Sequence, residues 1–176
     1  MASGCLVILI GMMGSGKSTI GELLAGLTGW PYVDNDDLVR EAHGATPRQI
    51  LAARGEAQMR EAEAEALVRG LRVPSPAIVG VAAGTILDPA NRDRLRDGGA
   101  VVWLRAAPEV LADRAVDSGH RPWLQGDAAA WMRDAAAERD PLYASVADLV
   151  VDTGSGSAAD AAAVIRAWLV STDRCD

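Results

Sequence analysis

The chain contains no phenylalanine, only two cysteines, and no apolar run approaching the ~20 residues that a membrane-spanning helix requires. The last absence argues against a helical membrane protein and against a membrane as partner. Cys5 and Cys175 stand near opposite ends without metal or redox spacing, so they are expected to be unpaired thiols in a reducing compartment. The N-terminus lacks the charged region and cleavage site of a signal peptide, which leaves a cytoplasmic location as the expectation. Positive charge is also scarce. Seventeen Lys and Arg against 24 Asp and Glu leave a net charge of −7, and no basic stripe exists to neutralise a nucleic-acid backbone. Nucleic acid is therefore excluded as a partner. With no phenylalanine, large aromatic packing falls mainly to tryptophan. Trp30, Trp103, Trp131 and Trp168 lie among apolar neighbours and are expected in or near the core, whereas Trp123 lies in a polar, Gly-flanked stretch.

What is present has the balance of a globular domain. The 176 residues are 49% hydrophobic and 23% charged, enough for one domain spanning residues 1–176 with a sizeable core. Near the start, the run GMMGSGKST follows the apolar stretch CLVILI. Its spacing, G-x-x-x-x-G-K-S, places Gly11, Gly16, Lys17 and Ser18 in the pattern of a phosphate-binding loop. Gly11, Gly14 and Gly16 free the backbone to turn its N–H groups toward an anion, and the helix that follows adds the positive end of its dipole. Lys17 supplies a mobile charge for the β- and γ-phosphates. The Ser18 hydroxyl is a hard ligand suited to Mg²⁺. Ser15 and Thr19 complete the nucleotide-binding stretch. ATP and Mg²⁺ are the expected cofactors.

Five short apolar runs read as strands: 5–10, 31–34, 77–82, 100–104 and 148–152. Helical patterns alternate with them over 17–27, 46–70 with a break near Gly55, 89–97, 108–117, 128–139 and 158–169. Strands buried on both faces and separated by helices imply a parallel α/β sheet flanked by helices. The segment REAEAEALVRGL (60–71) reads for most of its charges as a solvated helical face, Arg60 being set apart.

After the second strand comes VDNDDL. Carboxylates at the C-terminal end of a strand beside the loop strand face the nucleotide crevice. Asp34 and Asp36 can therefore serve the metal side and an acceptor hydroxyl, and Asp37 is the expected helix cap.

These pieces, in this order, resemble the shikimate kinase family of P-loop phosphotransferases. The likeness runs from Leu6 to about Thr153, through GMMGSGKSTIGELLA, VDNDD, RGEAQMREAEAEAL, DPANRDRL, VVWLRAAPEVLADR, HRPWL and ERDPLYASVADLVVDT. The resemblance implies a three-layer fold with strand order 2-3-1-4-5 and a mobile lid at about 115–127. It implies transfer of the ATP γ-phosphoryl group to the 3-hydroxyl of shikimate by a monomer. It implies that Lys17 and Ser18 hold phosphates and metal, that Asp34 lies near the metal, and that Asp36 binds the acceptor hydroxyls and acts as base. Arg60 and Arg139 would clamp the substrate carboxylate, Arg121 on the lid would close over the γ-phosphate, and Arg114 would stack on adenine.

The chain departs from the family at a Gly-Gly-Gly segment beside the substrate, where it has Ala82, Ala83 and Gly84. Met59 stands in place of a phenylalanine and Trp123 in place of a leucine. Two other readings stay open at this stage: a related kinase with another acceptor, such as gluconate or a different hydroxy acid, and a nucleotide-binding regulatory module without efficient transfer.

Overall fold

The computed structural model describes residues 5–117 and 127–172. Its strands are β1 (Leu6–Ile10), β2 (Tyr32–Asp34), β3 (Ala77–Gly80), β4 (Ala100–Arg105) and β5 (Leu149–Asp152), and they form one parallel sheet in the order β2-β3-β1-β4-β5. The helices are α1 (Lys17–Thr28), α2 (Asn35–His43), α3 (Pro47–Arg54), α4 (Glu56–Gly70), α5 (Pro89–Gly98), α6 (Pro108–Asp117), α7 (Ala128–Ala144) and α8 (Ala158–Ser171). A short 3-10 helix, Thr85–Leu87, follows β3.

The central strand explains the layering. Every residue of β1 is buried, and successive side chains point to opposite faces. Leu6, Ile8 and Ile10 join one core with Leu67 of α4, Leu95 of α5, Leu111 of α6 and Met132 of α7. Val7 and Leu9 join the other, with Ile20 and Leu24 of α1 and Ile165 and Leu169 of α8. A third cluster, built from Leu38, Val39, Ile50, Met59 and Ala66, ties α2 and α3 to α4.

Several expectations change. The 46–70 helix is two helices, parted at Gly55, whose φ of 85° lies where a side chain is strained. Helix α2, of which only a cap was expected, runs over Asn35–His43. Its cap is Asp34, not Asp37: the Asp34 carboxylate accepts from Asp36 N at 2.9 Å, while Asp37 sits in the first turn and pairs with Arg40. Helix α7 was expected to stop at Arg139 but runs on to Ala144 through Pro141. The proline forfeits one backbone hydrogen bond, and burial of Tyr143, 1% exposed, offsets that loss. Cys5 is disulfide-bonded rather than a free thiol, and the only other cysteine of the sequence, Cys175, lies outside the described residues. Trp103 is buried, and Trp30, Trp131 and Trp168 pack partly buried against the cores.

Two glycines of α1 lead to opposite expectations. A Cβ at Gly26 would meet open space, so Gly26→Ala should stabilise by about 0.5–1 kcal/mol through helix propensity. A Cβ at Gly21 would overlap the Tyr32 ring, so Gly21→Ala should cost about 1–3 kcal/mol. Urea midpoints should rank Gly26→Ala above the parent and Gly21→Ala below it; a Gly21→Ala midpoint equal to the parent's would remove the claimed contact.

Candidate active site

The carbonyl end of β1 leads directly into the loop of Gly11 to Gly16. Gly11 has φ 144°, and a Cβ there would collide with the Leu104 carbonyl of β4, so only glycine lets the loop lie this close to the sheet. Gly16, at φ 93°, caps α1 without any side-chain hydrogen bond. By contrast α2, α3, α5, α7 and α8 all begin with a side-chain cap. Helix α1 thus presents first-turn N–H groups with no side-chain cap, which suits an anion. Lys17 Nζ donates to the carbonyls of Gly11 at 2.9 Å and Met12 at 3.0 Å, lying across the loop. It is the only lysine in the sequence. Ser15 is buried with its hydroxyl unpaired, and Thr19 is exposed on the first turn of α1.

Beside the loop, the Asp34 carboxylate gathers three donors. Oδ2 accepts from Ser18 Oγ at 3.0 Å and from the Tyr32 hydroxyl at 2.8 Å, and Oδ1 accepts from Asp36 N. Burial, and the Asp34 carboxylate next to it, push the Tyr32 phenol well above its ordinary range, so it stays a donor. Asp36 is exposed in the first turn of α2. Ser18 and Asp34 together offer hard oxygen atoms at the mouth of the loop. Among the described residues no group of three His, Cys, Asp or Glu stands ready to hold a metal unaided. A divalent cation here would need phosphate oxygens as well, which is how Mg²⁺ is usually held beside nucleotides.

A second cluster surrounds Glu63, the exception on a helical face whose Glu61, Glu65 and Arg69 are exposed as expected. Glu63 is 7% exposed. Burial raises its carboxyl pKa, and Arg60 works against that rise, with Nη1 at 2.9 Å from Oε2. Asp36 and Arg139 also act on Glu63 through charge, so the fold brings Asp36, Arg60, Glu63 and Arg139 into one neighbourhood. Arg60 also reaches Glu56 at 3.1 Å. Its guanidinium lies where a Gly84 side chain would be. Gly84 itself has an ordinary φ of −82°, so glycine is needed there for room and not for backbone conformation.

Arg139 is 7% exposed, and among the described residues its Nε has no hydrogen-bond partner. The nearest carboxylate oxygen, on exposed Glu138, stands 3.9 Å away. One face of the guanidinium lies 5.8 Å from the Trp131 ring centre, and Nη1 is 4.0 Å from Met12 Sδ in the phosphate loop. A buried, permanently charged group so weakly paired is costly unless an anionic ligand completes it. Ala82 and Ala83 are half-buried beside this cluster, and the Ala83 carbonyl accepts from the Tyr143 hydroxyl at 2.8 Å.

Arg114 spans the other side of the loop, donating to the Gly14 carbonyl at 3.3 Å and the Thr153 carbonyl at 2.7 Å. Thr153 Oγ1 donates to the Ser15 carbonyl at 3.0 Å. The end of β5 is thereby latched to the phosphate loop. Arg121 and Trp123, and most of the expected lid at 115–127, lie outside the described residues. Sequence reasoning missed Tyr32, Glu63, Tyr143 and Thr153. Glu63 had one signal, its i,i+3 spacing from Arg60; the others are ordinary residues until the fold brings them to their partners.

Comparison with known proteins follows the same lines. The family profile described as Shikimate kinase matches residues 13–169. The chain is 40% identical over 173 residues to the shikimate kinase of Moorella thermoacetica, covering 94% of this chain and 96% of that one. It is 41% identical over 162 residues to the shikimate kinase of Symbiobacterium thermophilum, covering 90% and 92%. Among solved structures, the Acinetobacter baumannii shikimate kinase in complex with shikimate superposes with a TM-score of 0.89 at 32% identity, covering 97% of this chain and 95% of that one. A gluconokinase from Sinorhizobium meliloti, at TM-score 0.59 and 22% identity over 96% of this chain and 97% of that one, shares the fold alone.

The loop geometry sets an expectation for Lys17. Lys17→Ala should lower kcat/KM by at least about 100-fold, as removal of a charge-stabilising donor does, with a melting temperature close to the parent's. Retention of activity within a few-fold of the parent would show that the loop lysine does not serve transfer.

Proposed function

The chain belongs to the shikimate kinase family, and on that premise we propose how its residues divide the work. It is an ATP-dependent kinase that phosphorylates shikimate. The observation that carries the assignment of its acceptor site is Arg139, buried beside the phosphate loop with no hydrogen-bond partner for Nε among the described residues.

In the proposed arrangement the triphosphate lies on the loop amides at the start of α1, with Lys17 turning from the loop carbonyls toward the phosphates. Arg114, held between Gly14 and Thr153, lies against the adenine. Ser18 and Asp34 would hold Mg²⁺ together with phosphate oxygens; bound there, it supplies charge neutralisation. Arg60 and Arg139 receive the shikimate carboxylate, and Glu63 keeps Arg60 in place. Asp36 faces the acceptor hydroxyl and takes its proton as the hydroxyl oxygen bonds to the γ-phosphorus. The bond from that phosphorus to the β–γ bridging oxygen breaks, and ADP leaves. Arg121 would close over the transferring group. Catalysis is positioning and charge stabilisation more than covalent chemistry.

Among the described residues no helix is long and apolar enough to cross a membrane. The demand for ATP supports a cytoplasmic location. Relatives named for shikimate, with near-complete coverage, favour this acceptor over gluconate. A weakly paired buried arginine next to an uncapped helix start favours an enzyme over a module that only binds nucleotide.

A coupled ADP-release assay over shikimate, gluconate and other hydroxy acids tests the reading. Shikimate should give the fastest release, and Arg139→Gln should raise its KM about ten-fold or more while leaving the KM for ATP near the parent value. Release with gluconate but not with millimolar shikimate would sink the assignment. Because Gly84 shows ordinary backbone angles, the neighbouring alanines are proposed to narrow the pocket without rerouting the chain. Ala83→Gly should therefore raise kcat/KM for shikimate by about two- to five-fold; a fall would mean that the methyl contributes a contact.

A further inference from the structure

The strip Ala82–Gly84 has all three of its carbonyls engaged. Thr85 N donates to the Ala82 carbonyl and Leu87 N to the Gly84 carbonyl, each at 3.1 Å and each within the local turn. The Ala83 carbonyl is held from a distance, by the Tyr143 hydroxyl of α7 at 2.8 Å. That hydroxyl is well placed to act as a strut. Tyr143 is 1% exposed, and its ring stacks on Trp103 of the sheet with centroids 5.7 Å apart and planes at 27°. A phenol packed between sheet and helix has little freedom to follow a moving wall. Burial also pushes its pKa up, so it remains a donor at working pH.

Arg139 stands four residues before Tyr143, on the same face of α7. At the other end of the strip, the Arg60 guanidinium of α4 fills the place of a Gly84 side chain. The wall is therefore pinned at two points, by the same two helices that carry the two arginines of the carboxylate clamp. Clamp and wall thus meet on the same two helices. Resting on the acceptor site proposed above, we propose that Tyr143 is a positioning residue that fixes the width of the acceptor pocket by holding the Ala83 carbonyl. In this way it sets the preference for the unsaturated ring of shikimate over bulkier, saturated ring hydroxy acids.

Tyr143→Phe keeps the ring and its stack and removes the hydroxyl alone. The KM for shikimate should rise about five-fold, while kcat and the KM for ATP stay within two-fold of the parent. The preference for shikimate over quinate, a saturated ring acid with one more hydroxyl, should narrow. The double variant with Ala83→Gly should show a shikimate KM that is not the product of the two single effects, because both changes act on one wall. An unchanged shikimate KM, an equal rise in the KM for ATP, or strictly multiplicative effects would overturn the proposal. Arg139→Gln separates the two failures: no effect of that change on shikimate KM would mean that the acceptor site lies elsewhere. A normal Arg139→Gln response with a silent Tyr143→Phe would mean that only the strut is wrong. If Tyr143→Phe lowers the melting temperature, the KM values are read well below it, and the ATP KM serves as the internal control for general damage.

Discussion

All five strands run parallel, so their carbonyl ends must lie along one edge of the sheet. Every functional segment described here depends on that constraint. The phosphate loop leaves β1 at this edge, Asp34 ends β2 with Asp36 just beyond it, and the alanine strip follows β3. The Leu104 carbonyl that Gly11 approaches belongs to β4, and Thr153, which latches the loop, follows β5. Sequentially distant residues meet because the sheet delivers them to the same place. The burial of β1 on both faces makes the sheet rigid enough to hold them there.

Charge is distributed over this edge with a purpose that the net value hides. A protein with net charge −7 must gather its cations locally to bind a triphosphate and a carboxylic acid. The cations fall into two groups. Lys17 and Arg114 border the phosphate loop, each donating to backbone carbonyls. Arg60 and Arg139 flank the proposed acceptor site, where Glu63 pairs with Arg60 and Arg139 Nε has no hydrogen-bond partner among the described residues. Met12 Sδ against Arg139 shows how closely the two groups adjoin.

The alanine strip shows how a family feature can change while its frame persists. Gly84 stays glycine because the Arg60 guanidinium occupies the space of a side chain, whereas Ala82 and Ala83 are half-buried and carry methyl groups. Three engaged carbonyls hold the strip whatever its side chains are. Backbone hydrogen bonds thus preserve the wall, and side-chain volume tunes the space in front of it.

Much of this was legible from local pattern. The phosphate loop could be read because its chemistry demands fixed spacing over a few residues, and the strand order because the motifs matched a family with that order. Helix α7 past Pro141 could not be read, since propensity argues against it and only the buried contacts of Tyr143 sustain it. Nor could the cap role of Asp34, because three nearby aspartates look alike until one of them meets Asp36 N. Glu63 looked like its solvated neighbours in a Glu-rich helix, and burial is a property of what packs against a residue. By itself, the sequence determined the phosphate loop, the alternation of strands and helices, and the candidate arginines, because each rests on residue type and short-range spacing. The tertiary structure alone decided which carboxylate is buried, which arginine is buried with only weak partners among the described residues, and which hydroxyl meets the Ala83 carbonyl. Those outcomes depend on contacts between segments far apart in the chain, such as Tyr143 with Ala83 across 60 residues, and no local pattern encodes them.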